Sequence, residues 1–174
     1  MKTITASILA IFMFAGCKDK EDAVLVTEPC HCNGLPKNYT DSTGFLVLPT
    51  AFTPNGDGLN DLFRPVITPG LITPGSYLLS ITAGNDAVLF QTTDTAAGWN
   101  GNDFGGVAAM AGMHFFTVQF ITPTGDTVDD CGCITVLPHG VGCSITNGKT
   151  YYFEDQFNAA TGLPQFATAE PLCP

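Results

Sequence analysis

One stretch of the sequence decides the fold class: MHFFTVQFIT, residues 113–122. Phe116, Val118 and Phe120 stand two positions apart, so in an extended chain their side chains project from one face. The polar residues Thr117 and Gln119 lie between them and project from the other face. This alternation predicts a β-strand with one face buried and the other exposed to water.

Shorter apolar runs on both sides of this stretch predict further strands. They are separated by Gly, Pro, Asn and Asp, and they cover residues 45–49, 62–67, 76–82, 87–92 and 132–137. Two connections, AGND at 83–86 and PTGD at 123–126, have the composition of hairpin turns. The sequence therefore predicts an all-β domain over residues 45–137, an antiparallel β-sandwich of immunoglobulin-like type.

The overall composition agrees with many short strands and argues against two other classes of protein. The 174 residues include Gly 19 and Pro 12, and only 13% of them are charged, which disfavours a helical bundle. The formal net charge is −10, and no basic stripe is present that could neutralise phosphates. We therefore expect one domain with short appendages and no nucleic-acid partner.

Residues 1–16 predict a lipoprotein signal peptide. After a cationic start, an uncharged apolar run extends from Ile4 to Gly16, and it is shorter than the about 20 residues that span a bilayer. The small residues Ala15 and Gly16 directly precede Cys17, an arrangement that resembles the bacterial lipobox. We expect Cys17 to be lipidated and to become the mature N-terminus. The alternative is an ordinary signal peptide followed by a chance cysteine.

A charged segment, KDKED at residues 18–22, follows Cys17. Such a segment cannot pack and stays solvated. It resembles the acidic export tag that carries lipoproteins of Bacteroidetes-type bacteria to the outer leaflet, although any soluble tether would also be polar. We expect residues 17–44 to form a lipidated tether and stalk. The protein is then expected at the outer membrane, facing outward, with the acyl chains on Cys17 in the lipid.

The remaining cysteines are an even set and allow three disulfides: Cys30, Cys32, Cys131, Cys133, Cys143 and Cys173. In an oxidising compartment we expect the first two to join the stalk to the last strand through the middle two. The alternative is a zinc site built from those four thiolates and His31. The last two are expected to fix the C-terminal extension, residues 138–174, to itself or to the sandwich.

Three blocks of the sequence resemble one known family. The first, PTAFTPNGDGLNDLF at 49–63, is closely similar to the opening of the gliding-motility-associated C-terminal domain, the type B sorting domain of type 9 secretion. The second is GWNGND at 98–103 with AGMHFF at 111–116, where the family has a tryptophan-glycine turn and an aromatic strand. The third, CITVL at 133–137, stands where the family's final strand would lie. The resemblance covers about residues 46–137 and implies a sandwich module of a cell-surface protein.

These features together predict a non-catalytic cell-surface lipoprotein whose sandwich serves surface assembly, adhesion or filament building. Its expected partners are other proteins or further copies of itself. One alternative is an accessory protein of the type 9 secretion or gliding machinery, in which the sandwich is a sorting or docking domain. Another is a surface glycan-binding protein. Residues 138–174 follow the sandwich, whereas a sorting domain normally ends its chain, and this favours the first hypothesis.

The motif at 53–61 has the spacing of a weak calcium loop. Calcium loops place oxygen ligands at alternate positions and a glycine at the sixth. With Thr53 as the first position, the candidate ligands are Thr53, Asn55, Asp57 and Asp61, but the twelfth position is Arg64 rather than a carboxylate. Calcium is thus the one candidate cofactor. The alternative is a rigid turn in which Asn and Asp side chains accept hydrogen bonds from the backbone.

Trp99 is the one tryptophan and stands beside Gly98. An exposed tryptophan there could bind a glycan or a partner, whereas a buried one would anchor the core at a turn. His114 lies in an apolar strand and is expected to be an ordered or edge histidine. The sequence has no nucleophile elbow and no glycine-rich phosphate loop, so we expect no enzymatic activity.

Overall fold

The computed structural model describes Cys30, Cys32 and residues 38–139, 156–157 and 164–165. Within these ranges the chain forms strands and turns and no helix, so the all-β class is confirmed. Correspondingly, no helix in the described ranges is long and apolar enough to cross a membrane. The strands are β1 (Asn38–Thr40), β2 (Phe45–Val47), β3 (Ala51–Phe52), β4 (Val66–Ile67), β5 (Leu78–Thr82), β6 (Val88–Thr92), β7 (Gly112–Ile121), β8 (Thr127–Val136), β9 (Gln156–Phe157) and β10 (Pro164–Gln165).

The largest sheet has five strands in the order β3-β8-β7-β5-β6. Adjacent strands of this sheet run antiparallel, except that β3 pairs with β8 in parallel. A second sheet has the order β1-β2-β4 and is antiparallel throughout. The strands β9 and β10 pair with each other. The five-stranded sheet is therefore mixed rather than purely antiparallel, because β3, near the start of the module, pairs in parallel with β8 at its end.

The alternation that defines β7 is confirmed. Phe116, Val118 and Phe120 are all buried, while Thr117 and Gln119 between them are exposed. On β5, Leu79 and Ile81 show the same alternation toward the same core. β5 and β7 each bury one row of apolar side chains. Each fully buried large aliphatic or aromatic side chain stabilises the folded state by about 1.5–3 kcal/mol.

Both predicted hairpin turns are present and have the same construction. In the turn between β7 and β8, Gly125 N–H donates to Thr122 C=O and Gly125 has a φ of 91°. In the turn between β5 and β6, Asp86 N–H donates to Ala83 C=O and Asp86 has a φ of 63°. A left-handed residue ends each turn, and glycine or aspartate tolerates that conformation best. Each turn thus makes the two strands that it joins neighbours in the sheet.

The two larger sheets share one hydrophobic core. Tyr39 on β1 meets Phe120 on β7 edge to face, with ring centroids 5.4 Å apart. Leu46 on β2 is buried in the same core as Leu79 on β5. Because β1 belongs to this core, the stretch predicted as stalk, residues 17–44, ends in a strand of the module.

Two other strands differ from their predicted extents for local reasons. The predicted strand at 62–67 shrinks to Val66–Ile67, because Pro65 has no N–H to donate and Phe63 instead bridges to Trp99. The predicted strand at 132–137 begins earlier, at Thr127, so that all ten residues of β8 pair with β7. The first half of β8, residues 127–131, carries two aspartates and one cysteine and therefore shows no apolar alternation in the sequence.

Candidate functional site

Two disulfides attach the N-terminal segment to β8, as the cysteine spacing predicted. Cys30 is bonded to Cys133 and Cys32 to Cys131. The cysteines of β8 stand on either side of Gly132, which faces the core opposite Phe116. Both bridges therefore lie on the face of the five-stranded sheet that points away from the core. Thiolates tied in disulfides do not ligate zinc, so the zinc alternative for these four residues is wrong.

The first two of the three sequence blocks quoted for the family resemblance meet in space. Phe63 at the end of the first block and Trp99 in the second exchange backbone hydrogen bonds of 2.9 Å in both directions. The ring of Phe52 lies 5.3 Å from that of Trp99 and 6.4 Å from that of Phe63. Gly101 has a φ of 80°, and a Cβ there would collide with Pro54 of the first block. The motif residues thus build one packed unit.

Trp99 is fully buried at the centre of this unit. Its indole Nε1–H donates to Asn102 C=O at 2.6 Å, and its ring meets His114 edge to face at 5.4 Å. The structure therefore does not present Trp99 to a glycan or partner. The core-anchor interpretation holds for this residue, and the glycan hypothesis loses the side chain on which it depended.

The loop at 53–61 is organised by its own side chains. Asp61 accepts Gly56 N–H at 2.6 Å through one carboxylate oxygen and Gly58 N–H at 2.7 Å through the other. Asp57 accepts Leu59 N–H at 2.8 Å, and Asn55 Oδ1 accepts Asp57 N–H at 3.0 Å. These are the bonds of the rigid-turn alternative, because each acidic side chain is directed to the backbone.

Thr53, the first candidate calcium ligand, is directed elsewhere. It is fully buried, and its Oγ1 accepts a hydrogen bond of 2.8 Å from Gln156 Nε2 on β9. Across the described ranges, no three His, Cys, Asp or Glu side chains converge where they could hold a metal ion. Calcium binding by Thr53, Asn55, Asp57 and Asp61 stays a prediction, to be tested by titrating the protein with calcium.

His114 is the most unusual polar group of the core. It is buried, and its Nε2 lies 2.9 Å from Met110 C=O. A carbonyl only accepts, so Nε2 carries the proton and Nδ1 is left as an acceptor. Nδ1 is buried and has no hydrogen-bond partner. Burial lowers the pKa of His114, and the hydrogen bond to Met110 C=O opposes this only in part.

An open groove of about 390 Å³ borders His114. One wall is the turn at 83–85 together with Leu89 on β6, and the other is the segment 107–113 with Val107 and Met110. Residues 104–113 contain no charged side chain, and Val107 and Met110 are 66% and 64% exposed. The segment is held by Asp103, whose Oδ1 accepts the N–H groups of Gly105 and Val107. The uncharged run is visible in the sequence, but its position beside β6 is not.

β6 forms one edge of the five-stranded sheet. Within the described part of the chain it pairs with β5 alone. Val88 at its start is 46% exposed. Sequence periodicity identified this strand, but it could not predict that the strand lies at an edge.

Several predicted site residues lie outside the described ranges. They include the lipidation residue Cys17 with the signal peptide and the charged tether, and the tail cysteines Cys143 and Cys173. His31, the imidazole of the zinc alternative, is outside as well. No protein-family model matches the chain, and no curated protein is significantly similar to it.

Proposed function

We propose that the protein is a non-catalytic lipoprotein of the outer membrane, anchored through Cys17 and facing outward. Its module would be an immunoglobulin-like β-sandwich that serves surface assembly or adhesion through protein contacts. The observation that carries this proposal is the pair of disulfides between Cys30 or Cys32 and β8. They join Cys30 and Cys32, which follow the charged segment and residues 23–29 in the sequence, to a folded module, which suits a tethered domain in an oxidising compartment.

The anchor is tested by labelling cells with an alkyne-bearing fatty acid. We expect the wild-type chain to take up label and to sediment with outer membranes. Cys17→Ala should abolish both, whereas Cys173→Ala, a matched loss of one cysteine, should keep the label. A labelled Cys17→Ala protein, or an unlabelled wild-type protein, would overturn the lipid anchor.

The outward orientation is tested by protease treatment of intact cells. We expect the wild-type chain to be cleaved. A variant with alanine throughout residues 18–22 should be protected while it remains lipidated. Equal protection of both chains would contradict outward display, and equal cleavage would contradict the role of this segment as an export tag.

The second candidate is an accessory of type 9 secretion or gliding in which the module is a sorting or docking domain. It is supported by the packing of the first motif block on the second, around Trp99. The two candidates differ in a strain that lacks the type 9 apparatus. We expect surface exposure to be unchanged there, because a lipoprotein has its own route. Loss of exposure in that strain would favour the second candidate.

A further inference from the structure

We infer that the outer edge of β6 and the groove at its start form a docking site for an extended segment of another protein. The segment carries alternating apolar side chains and a basic residue at each end, and it would add a sixth strand to the sheet. The inference rests on the proposed function, because it names the kind of protein segment that the proposed interaction module would bind. It needs neither the lipid anchor nor the export route.

The edge itself is suited to strand addition. β6 is five residues long, longer than any other edge strand in the described ranges. Natural edge strands are usually protected by lysine, proline or a bulge. The sequence of β6, VLFQT, contains no charge and no proline, and its bulge lies only at the beginning, opposite the step from Ile81 to Thr82. Beyond this bulge, no strand in the described part of the chain pairs with the outer edge of β6.

The groove supplies a place for a side chain of that strand. Main-chain hydrogen bonds give strand addition its affinity, and adjacent pockets for alternate side chains give it specificity. Leu89 belongs both to β6 and to the groove wall, so the groove adjoins the start of β6. The opposite wall offers Met110 and Val107, both largely exposed and apolar. An aliphatic or aromatic side chain of the partner fits this lining.

Charge determines which kind of strand fits. Asp86 and Asp94 flank β6 at its two ends. A second copy of β6 would bring its own two aspartates to these ends, in either strand direction, and like charges opposite each other are destabilising. In residues 38–139 the one Lys or Arg is Arg64. The aspartates of the same range are Asp41, Asp57, Asp61, Asp86, Asp94, Asp103, Asp126, Asp129 and Asp130. A basic-ended segment of a different protein is therefore the complementary occupant.

The test uses the mature full-length chain in detergent and a fluorescent nine-residue peptide of alternating threonine and valine with a lysine at each end. We expect saturable binding by anisotropy, with slower amide exchange confined to β6. A peptide with glutamate ends should bind about tenfold more weakly, because attraction at both ends becomes repulsion. Equal binding of both peptides, or no binding of either, would overturn the proposal.

Two pairs of variants locate the site. Asp86→Asn with Asp94→Asn should weaken the lysine-ended peptide about fivefold, whereas Asp126→Asn with Asp129→Asn, which removes the same charge from the β7–β8 hairpin, should not. Met110→Ser should weaken binding about fivefold, because apolar contact area is lost.

Phe104→Ser is the control for Met110→Ser, since Phe104 is 70% exposed in the same loop but does not line the groove. If a variant and its control weakened peptide binding equally in either pair, the peptide would bind at another site. If the protein forms concentration-dependent dimers in which amide exchange of β6 is slowed without any peptide, the occupant of the edge is a second copy of this chain, and the proposed partner segment is wrong. Failure of peptide binding would leave the labelling result at Cys17 unchanged, so the two proposals fail separately.

Discussion

Substituting Gly132→Ala tests whether the core of this module depends on a close contact between β7 and β8. Gly132 is the cross-strand partner of Phe116, whose ring lies over it. A Cβ on residue 132 would stand 2.6 Å from Phe116 Cε1 and nearer still to Cζ, whereas ordinary contact begins near 3.4 Å. The ring would have to move by about 1 Å inside a close-packed core.

The expected cost follows from two opposing effects. Forcing an extra carbon into a packed core costs about 1–3 kcal/mol. Replacing glycine by alanine in a strand recovers about 0.5–1 kcal/mol of backbone entropy. The ring of Phe116 also packs against that of Phe63, with centroids 5.5 Å apart, and this contact limits how far it can move. We expect a net loss of about 1–2 kcal/mol in the free energy of unfolding.

The assay is urea unfolding of the full chain with disulfides intact. Gly84→Ala is the matched control, because no atom lies within 4 Å of a Cβ at that position and its φ is not in the left-handed region. It should change stability by less than about 0.5 kcal/mol. The double variant Gly132→Ala with Phe116→Leu should lose less than the sum of the two single losses. A Gly132→Ala protein as stable as the wild type would refute the contact.

Three further outcomes follow from the structure. The free energy of unfolding should fall as pH drops from about 7 toward 5, because the lowered pKa of His114 lets the unfolded chain bind a proton more readily than the folded chain does. In urea unfolding at several pH values, His114→Gln should reduce this dependence of stability on pH. A pH dependence equal to that of the wild type would contradict the role of His114. Replacing both Cys32 and Cys131 by serine should cost about 2–5 kcal/mol and lower the Tm in calorimetry, and an unchanged Tm would show that this bridge does not constrain the unfolded chain. Asp61→Ala should cost about 1–3 kcal/mol, because Gly56 and Gly58 N–H lose a charged acceptor; if calcium raises the wild-type Tm but not that of Asp61→Ala, the loop is a cation site as well as a turn.

The sequence predicted the strands whose apolar residues alternate, and little about their order. β7 was evident because Phe116, Val118 and Phe120 obey period two. β3 was not, because two residues show no period and its parallel pairing with β8 depends on tertiary contact. β1 was hidden in a polar segment, since only Tyr39 identifies it with the core.

The candidate sites divide in the same way. The bridges to β8 could be predicted, because the two closely spaced cysteine pairs and the expected oxidising compartment can both be inferred from the sequence. The loop at 53–61 could be interpreted as a turn or a cation site, and only the directions of the Asp57 and Asp61 side chains distinguish them. The unpaired Nδ1 of His114 and the groove beside Leu89 arise where distant segments meet. No local pattern could have predicted them.

The position of the bridges has a mechanical consequence. Tension applied at Cys30 and at the chain beyond His139 would pass through the bond from Cys30 to Cys133, and the intervening polypeptide would carry none of it. The sequence separation of 103 residues across this bond is therefore length that an oxidised chain cannot release under load. Pulled between its two ends, the module acts as a short inextensible link. Only reduction would let it lengthen, and the load would then reach β8, the strand that pairs with both β3 and β7.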